Sequence, residues 1–408
     1  MSRHQPSPTA SSTDTGFATR SKEFRPSPVR AVFETALDPS VVSLAGGNPD
    51  LSTLPEGSVA QLASSLLSER GPEILQYGSG AGIDGLRELV VELMARRGSS
   101  IGSGEVQPLA GSQVGLDLVT KLYCNPGDVI LAEDPTYVGA LGVFGSYEVQ
   151  VRHVNIDQDG LDPEAVAHAI DAARAQGHRV PFVYTVPTHQ NPTGVTLSPE
   201  RRRALVEVCA ARGVMIIEDD PYGLLDFERT TGPVATLHSM APEHVIHLGS
   251  ASKIFSPGLR VGWAVAPAHV RARMQIAAEA VLVHPSVLSQ ELVVTWLGSP
   301  QWTTVLDRSV EFYRERAQAT TAALQEHLGD RAEWTDPKGG FFTWVRFPGV
   351  ELGDILNRGI QEGVLIVPGA ACYADGRSSD AVRVAYSGVS PYRVAEGIRR
   401  LARAVPAR

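Results

Sequence analysis

Between about Val106 and Pro267 the chain alternates short apolar runs with amphipathic ones, and this restricts the fold more than any other feature. The apolar runs Asp128–Ala132, Val149–Val154, Pro181–Val186, Val214–Glu218, Val245–Leu248 and Val261–Ala266 have strand length. Helical periodicity covers Gln113–Tyr123, Pro163–Gln176 and Pro199–Arg212. Strands that alternate with helices build a mostly parallel sheet with helices on both faces. Ligands of such sheets gather at the carboxyl ends of the strands. The expected class is therefore α/β, with a three-layer αβα large domain over residues 46–285.

From about Ser286 the pattern changes. A helical stretch, Thr303–His327, precedes short strands at Phe341–Phe347, Val364–Pro368 and Ala381–Tyr386. This predicts a smaller α+β domain over 286–408. Residues 26–45 are expected to pack on that small domain or near the site. Residues 1–25, whose first part is rich in Ser, Thr and Pro with no apolar h-region, are expected to form a disordered tail and not a signal peptide.

A length of 408 residues suits one large and one smaller domain, and 43% hydrophobic against 20% charged residues suits a soluble globular chain. The net charge of −9, with no long basic run, argues against bulk binding to nucleic acid. No apolar run is long enough for a bilayer, so no membrane partner is expected. Cys124, Cys209 and Cys372 are odd in number and widely spaced, without CxxC. They read as packing residues of a reduced, cytoplasmic chain, and no metal site is expected.

The chemistry concentrates at strand ends. Lys253 lies in Gly249-Ser250-Ala251-Ser252-Lys253, and Arg260 follows a Pro-Gly turn. An amine, two hydroxyls and a guanidinium in one loop suit a cofactor with an aldehyde and a phosphate: the amine forms an imine and the others grip the phosphate. By itself, a lysine in a loop is most often a surface residue. Asp219 and Asp220 follow the run Val214-Met215-Ile216-Ile217, where a carboxylate can keep a pyridine nitrogen protonated. The bland alternative is a solvated turn before Pro221. Tyr222 could donate to a ring hydroxyl. Asn191, in Gln190-Asn191-Pro192-Thr193-Gly194, is either part of a plain turn or a polar ligand. Gly111-Ser112-Gln113 opens a helix, as an anion site or as an ordinary serine cap. Tyr137, in Asp134-Pro135-Thr136-Tyr137, can cover a planar ring. Gly80-Ala81-Gly82-Ile83-Asp84-Gly85 fits GxGxxG, but no adequate strand precedes it. It reads as a flexible loop before the helix Asp84–Arg97.

Taken in order, Asn191, Asp219, Tyr222, Ser250-x-Ser252-Lys253, Arg260 and Arg383 resemble the fold-type I enzymes that use pyridoxal 5′-phosphate. Among these the chain resembles class I/II aminotransferases, and within them the branch that includes 2-aminoadipate-type aminotransferases and the enzyme-like domains of certain transcription regulators. The similarity runs from about Val42 to the C-terminus. It implies that Lys253 forms the internal Schiff base and shuttles the proton, and that Asp219 pairs with the pyridinium nitrogen. Asn191 and Tyr222 would bond the ring oxygen and Tyr137 would stack on the ring. Gly111, Ser112, Gln113, Ser250, Ser252 and Arg260 would surround the phosphate. Tyr77 would reach the phosphate of a neighbouring subunit, which implies a homodimer. Arg383, in Val382-Arg383-Val384, would clamp the substrate carboxylate. Gly47, in Ala45-Gly46-Gly47-Asn48-Pro49, would line the substrate pocket. Arg30 is a candidate for the distal carboxylate of a dicarboxylic substrate.

The implied reaction is transfer of an amino group from an L-amino acid to a 2-oxo acid by a ping-pong mechanism. Two rivals stand beside it. The same scaffold runs elimination or replacement, decarboxylation, cyclisation and oxidation. The branch also contains ligand-sensing regulators, but the residues before Val42 are too few and too rich in Ser and Pro for a winged helix.

Overall fold

The computed structural model describes residues 16–18, 20–21, 38–228 and 234–406. Arg30 and most of the segments 1–25 and 26–45 lie outside the described residues. Fourteen strands are described: β1 Val42–Ser43, β2 Val106–Leu109, β3 Val129–Asp134, β4 Gln150–Asp157, β5 Gly160–Leu161, β6 Phe182–Thr185, β7 Met215–Asp219, β8 Val245–Ser250, β9 Gly262–Val265, β10 Glu333–Trp334, β11 Phe342–Arg346, β12 Val364–Leu365, β13 Val367–Pro368 and β14 Ala381–Ala385. The central sheet has the order β2-β9-β8-β7-β6-β3-β4-β5. Strands β8, β7, β6, β3 and β4 run parallel to one another. The class is α/β, as expected.

The run expected at Val261–Ala266 forms β9, but it pairs antiparallel with both β8 and β2. The reason is the short connection. A parallel return needs a crossover of about a dozen residues or more, usually helical. Between Ser250 and Gly262 the chain makes only turns and the 3-10 helix Pro257–Leu259. Two antiparallel pairings in succession leave β2 parallel to β8. The carboxyl ends of β2, β3, β6, β7 and β8 therefore share one edge of the sheet.

The helices start where local chemistry places them. Pro163–Ala175 and Pro199–Ala211 each have proline in the first turn, and Asp162 and Ser198 accept from the backbone N–H of Glu164 and Arg201. Both faces of the sheet are covered. Alternate residues of one strand enter different cores: Ile217, Ile246 and Leu248 pack in one, Val183, Ile216 and Val245 in the other.

The C-terminal part forms the antiparallel sheet β10-β11-β14-β13 against the helices Pro300–His327 and Pro391–Ala404. The expected strand Val364–Pro368 is divided into β12 and β13, and β12 pairs in parallel with β1. The glycine loop at Gly80–Gly85 is not loosely packed, which corrects the expectation. Gly82 has φ of 70°, and a Cβ there would lie 2.4 Å from Pro108. A Cβ on Gly80 would lie 2.1 Å from Glu279. These glycines serve close approach to neighbouring elements. Cys209 and Cys372 are buried and Cys124 is half-buried, all three as free thiols.

Candidate active site

The shared strand edge brings most of the singled-out residues together. Asp219 ends β7, and period-two alternation continues it from the Ile217 row. Its Oδ2 accepts a hydrogen bond from the Tyr184 hydroxyl at 2.8 Å. Its Oδ1 is buried and has no hydrogen-bond partner among the described residues. Burial pushes the carboxyl up to about 6, against the pull of the Tyr184 hydroxyl. A buried acceptor without a donor is costly, so its place in the fold calls for an explanation.

Lys253 follows β8 in the turn after Ser250. It is partly buried, and its Nζ donates to the Gly47 carbonyl at 2.7 Å. Burial first, then the charges of Arg383 and Arg260, bring its ammonium down to about 8, although Asp219 opposes them. Ser250 Oγ accepts from the Ser252 N–H at 3.1 Å, which closes the loop beneath the lysine. Arg260 is exposed, with φ of 51°. It lies against Gly111, whose φ is 92° and where a Cβ would come within 2.4 Å of Arg260 Nη2. Only glycine fits there. The next residue, Ser112, opens the helix Ser112–Tyr123. Its free N–H groups, Ser250, Ser252 and the Arg260 guanidinium form a donor set suited to a phosphate.

Arg383 is buried on β14. Its Nη1 donates to Asn191 Oδ1 at 2.9 Å and its Nη2 to the Ala45 carbonyl at 2.5 Å. Its Nε has no partner among the described residues. The guanidinium lies 4.4 Å from the centre of the Phe342 ring. Tyr222 is buried edge-on to Phe341 and Phe342. Gly47 must be small, because a Cβ there would lie 2.5 Å from Phe342. Tyr137 leans its hydroxyl towards Gln113 Oε1 at 3.4 Å, while Gln113 Nε2 donates to the Gly139 carbonyl at 2.9 Å. The Gln113 side chain is thus already engaged, and its backbone N–H is the group left for an anion. Tyr77 stands apart from this cluster. It is 80% exposed and packs edge-on against His284.

Residues 39–401 match the family of class I and II aminotransferases. The chain belongs to this family. It is 32% identical to aromatic-amino-acid aminotransferase 1 of Thermococcus litoralis, over 95% of this chain and 94% of the relative. Kynurenine aminotransferase of Pyrococcus horikoshii, solved in complex with PMP, superposes with a TM-score of 0.89 at 33% identity, covering 95% and 96% of the two chains. The α-aminoadipate aminotransferase LysN of Thermus thermophilus, complexed with N-(5′-phosphopyridoxyl)-L-leucine, gives 0.87 at 32%, covering 95% and 96%. This aminotransferase is a pyridoxal-phosphate-dependent transferase that moves an amino group between an amino acid and a 2-oxo acid. Its residues fit the cofactor: an amine of lowered pKa, an orphaned buried carboxylate oxygen and a phosphate-type donor set stand at one strand edge.

Two residues of this aminotransferase were not anticipated from the sequence. Tyr184 sits inside an apolar strand, and its one signal is that a buried tyrosine hydroxyl needs a partner. Arg97, read from the sequence only as the last residue of the helix Asp84–Arg97, is buried and pairs with Asp220 at 2.8 Å. Asp220 thereby leaves the site to Asp219 alone.

Proposed function

We propose that the aminotransferase acts between a large domain, 46–285, and a small domain, 286–408, with Lys253, Asp219 and Arg383 as its working groups. The observation that carries this reading is the meeting at one edge of a lysine of lowered pKa, a carboxylate oxygen without a donor and a buried arginine. When bound, pyridoxal phosphate supplies an aldehyde for the amino group and a protonated ring that withdraws electrons from the substrate Cα. Asp219 Oδ1 holds the proton on the ring nitrogen, since an adjacent opposite charge favours the charged form. Asn191 and Tyr222 would donate to the ring oxygen, and Tyr137 would cover the ring face. Gly111, Ser112, Gln113, Ser250, Ser252 and Arg260 hold the phosphate.

Arg383 receives the substrate carboxylate through its planar fork and fixes the orientation of the Cα–H bond. Lys253, free as a neutral amine, would take the substrate Cα proton and, as the ammonium, give it to the carbon of the cofactor that carried the aldehyde, and its pKa near operating pH suits both transfers. Gly47 leaves room for the substrate beside Phe342. A distal carboxylate contact from Arg30 is part of the same proposal. The exposed Leu75, Tyr77, Val281 and Val283 support a homodimer in which Tyr77 reaches the neighbour's phosphate. A cytoplasmic location accords with the free thiols.

The test is a spectral screen of the cofactor-loaded protein against L-amino acids, beginning with aromatic amino acids, kynurenine and 2-aminoadipate. The true donor converts the visible band to that of the amine form, and a 2-oxo acid restores it one for one without ammonia. Ammonia release or O₂ consumption in place of that exchange favours the rival chemistry.

A further inference from the structure

Tyr184 occupies an unusual place for a polar residue. It lies in β6, fully buried, opposite Ile217 of β7 and two positions short of Asp219 in register. Phe144 packs edge-on against its ring, with centroids 5.4 Å apart. The ring is held in the core, and its hydroxyl has one partner among the described residues, Asp219 Oδ2 at 2.8 Å. A phenol has a single O–H to donate, and here it is donated in the hydrogen bond to the carboxylate. The carboxylate is left with one satisfied oxygen and one free oxygen.

We propose that Tyr184 is a positioning residue for the amino transfer: its hydroxyl fixes Asp219 Oδ2, so that Oδ1 alone is presented to the ring nitrogen of the bound cofactor. The proposal rests on the role of Asp219 given above. Two physical consequences follow from the contact. The hydrogen bond stops the carboxylate from rotating between equivalent settings, which keeps the acceptor aimed. It also favours the charged carboxylate over the acid in surroundings whose burial favours the acid. Tyr184 keeps its own proton, because burial and the neighbouring Asp219 raise its pKa well above the ordinary tyrosine value. It acts through Asp219 and does not touch the reacting atoms.

A purely structural role would be the filling of the core by a tyrosine whose hydroxyl happened to need a partner. The two roles separate in the holoenzyme carrying cofactor labelled with ¹⁵N at the ring nitrogen. The proteins compared at one pH are the wild type, Tyr184→Phe, Asp219→Asn and Phe144→Leu. The wild type should show the shift of a protonated ring nitrogen and Asp219→Asn that of an unprotonated one. Tyr184→Phe should move from the first towards the second, with kcat falling about tenfold, as loss of one hydrogen bond to a charged group implies, and KM changing less. Phe144→Leu, which loosens the ring packing and keeps the hydroxyl, should lower the melting temperature and leave the ¹⁵N shift in place. A wild-type shift and kcat in Tyr184→Phe, beside a displaced shift in Asp219→Asn, overturns the inference and leaves the site reading intact. A wild-type shift in Asp219→Asn overturns both.

Discussion

Glu218 and Asp219 are neighbours on one strand, equally buried, and they face opposite layers of the molecule. On the far face, Glu218 is fully served. His247 Nδ1 lies 3.0 Å away, and the N–H groups of Leu237 and His238 donate at 2.7 and 3.1 Å. Burial alone would raise its pKa, but these partners and Arg202 outweigh burial and hold the carboxyl below the ordinary range. On the opposite face, Asp219 has one donor and, among the described residues, one oxygen without a partner, and its pKa goes the other way. Two carboxylates on one strand thus differ in how complete their bonds are: the complete one is structural, and the incomplete one is the one proposed to serve the cofactor. In the proposed function a bound cofactor completes the bonding of Asp219, which gives the cost of the open oxygen a purpose.

The largest test of this contrast removes the amine that works beside Asp219. Lys253→Ala should lower transamination by about 10⁴-fold or more and abolish the visible cofactor band. In the wild type, capture of the aldehyde by the apoprotein should speed up as pH rises through about 8 and then level off, because only the neutral amine adds. A rate that is flat between pH 6 and 9 contradicts the lowered lysine pKa.

Next, the two carboxylates should respond to mutation in opposite directions. Glu218→Ala leaves His247 and two backbone donors unserved, and should cost about 3–5 kcal/mol in urea denaturation. Asp219→Asn should instead stabilise the apoprotein. Its folded pKa is raised, so between 3.8 and about 6 the folded state holds a proton that the unfolded chain releases. That penalty grows as pH rises through this window and is complete above it, where it amounts to about 3 kcal/mol. Asparagine should therefore stabilise by about this much at pH 8 and by almost nothing at pH 4, in a protein that has lost most of its activity. Equal destabilisation by both substitutions would erase the contrast.

Arg383→Lys keeps the charge and loses the fork. KM for the amino donor should rise about ten- to a hundredfold while folding is retained. At the small end stands Glu396, whose carboxyl Arg399 and Arg400 hold down to about 2 on the C-terminal helix. These ion pairs lie at the edge of the helix, partly open to water and remote from the candidate site, so Glu396→Gln should leave activity unchanged and lower the denaturation midpoint only slightly. A displaced pKa marks a site only where a bond is left open.

Much of this was legible in the sequence because it is local. Apolar runs of strand length end in Asp219, in Gly249-Ser250 and before Asn191, and parallel connections put those ends together. Lys253 is also one of only four lysines, with Lys22, Lys121 and Lys338. What depended on three-dimensional approach was hidden. The tightness at Gly80 and Gly82 depends on Glu279 and Pro108, distant in sequence, whereas the antiparallel direction of β9 could have been read from the short connection after Ser250. Tyr184 and Arg97 sat within apolar or helical runs, and only their partners, Asp219 and Asp220, give them meaning.

The central claim is that this one lysine, set beside the incomplete carboxylate, holds the cofactor. Borohydride reduction of the holoenzyme followed by peptide mass mapping tests it directly. The account predicts the pyridoxyl phosphate mass on Lys253 and an unmodified Lys22, Lys121 and Lys338. The label on any of those three, with Lys253 free, would contradict it.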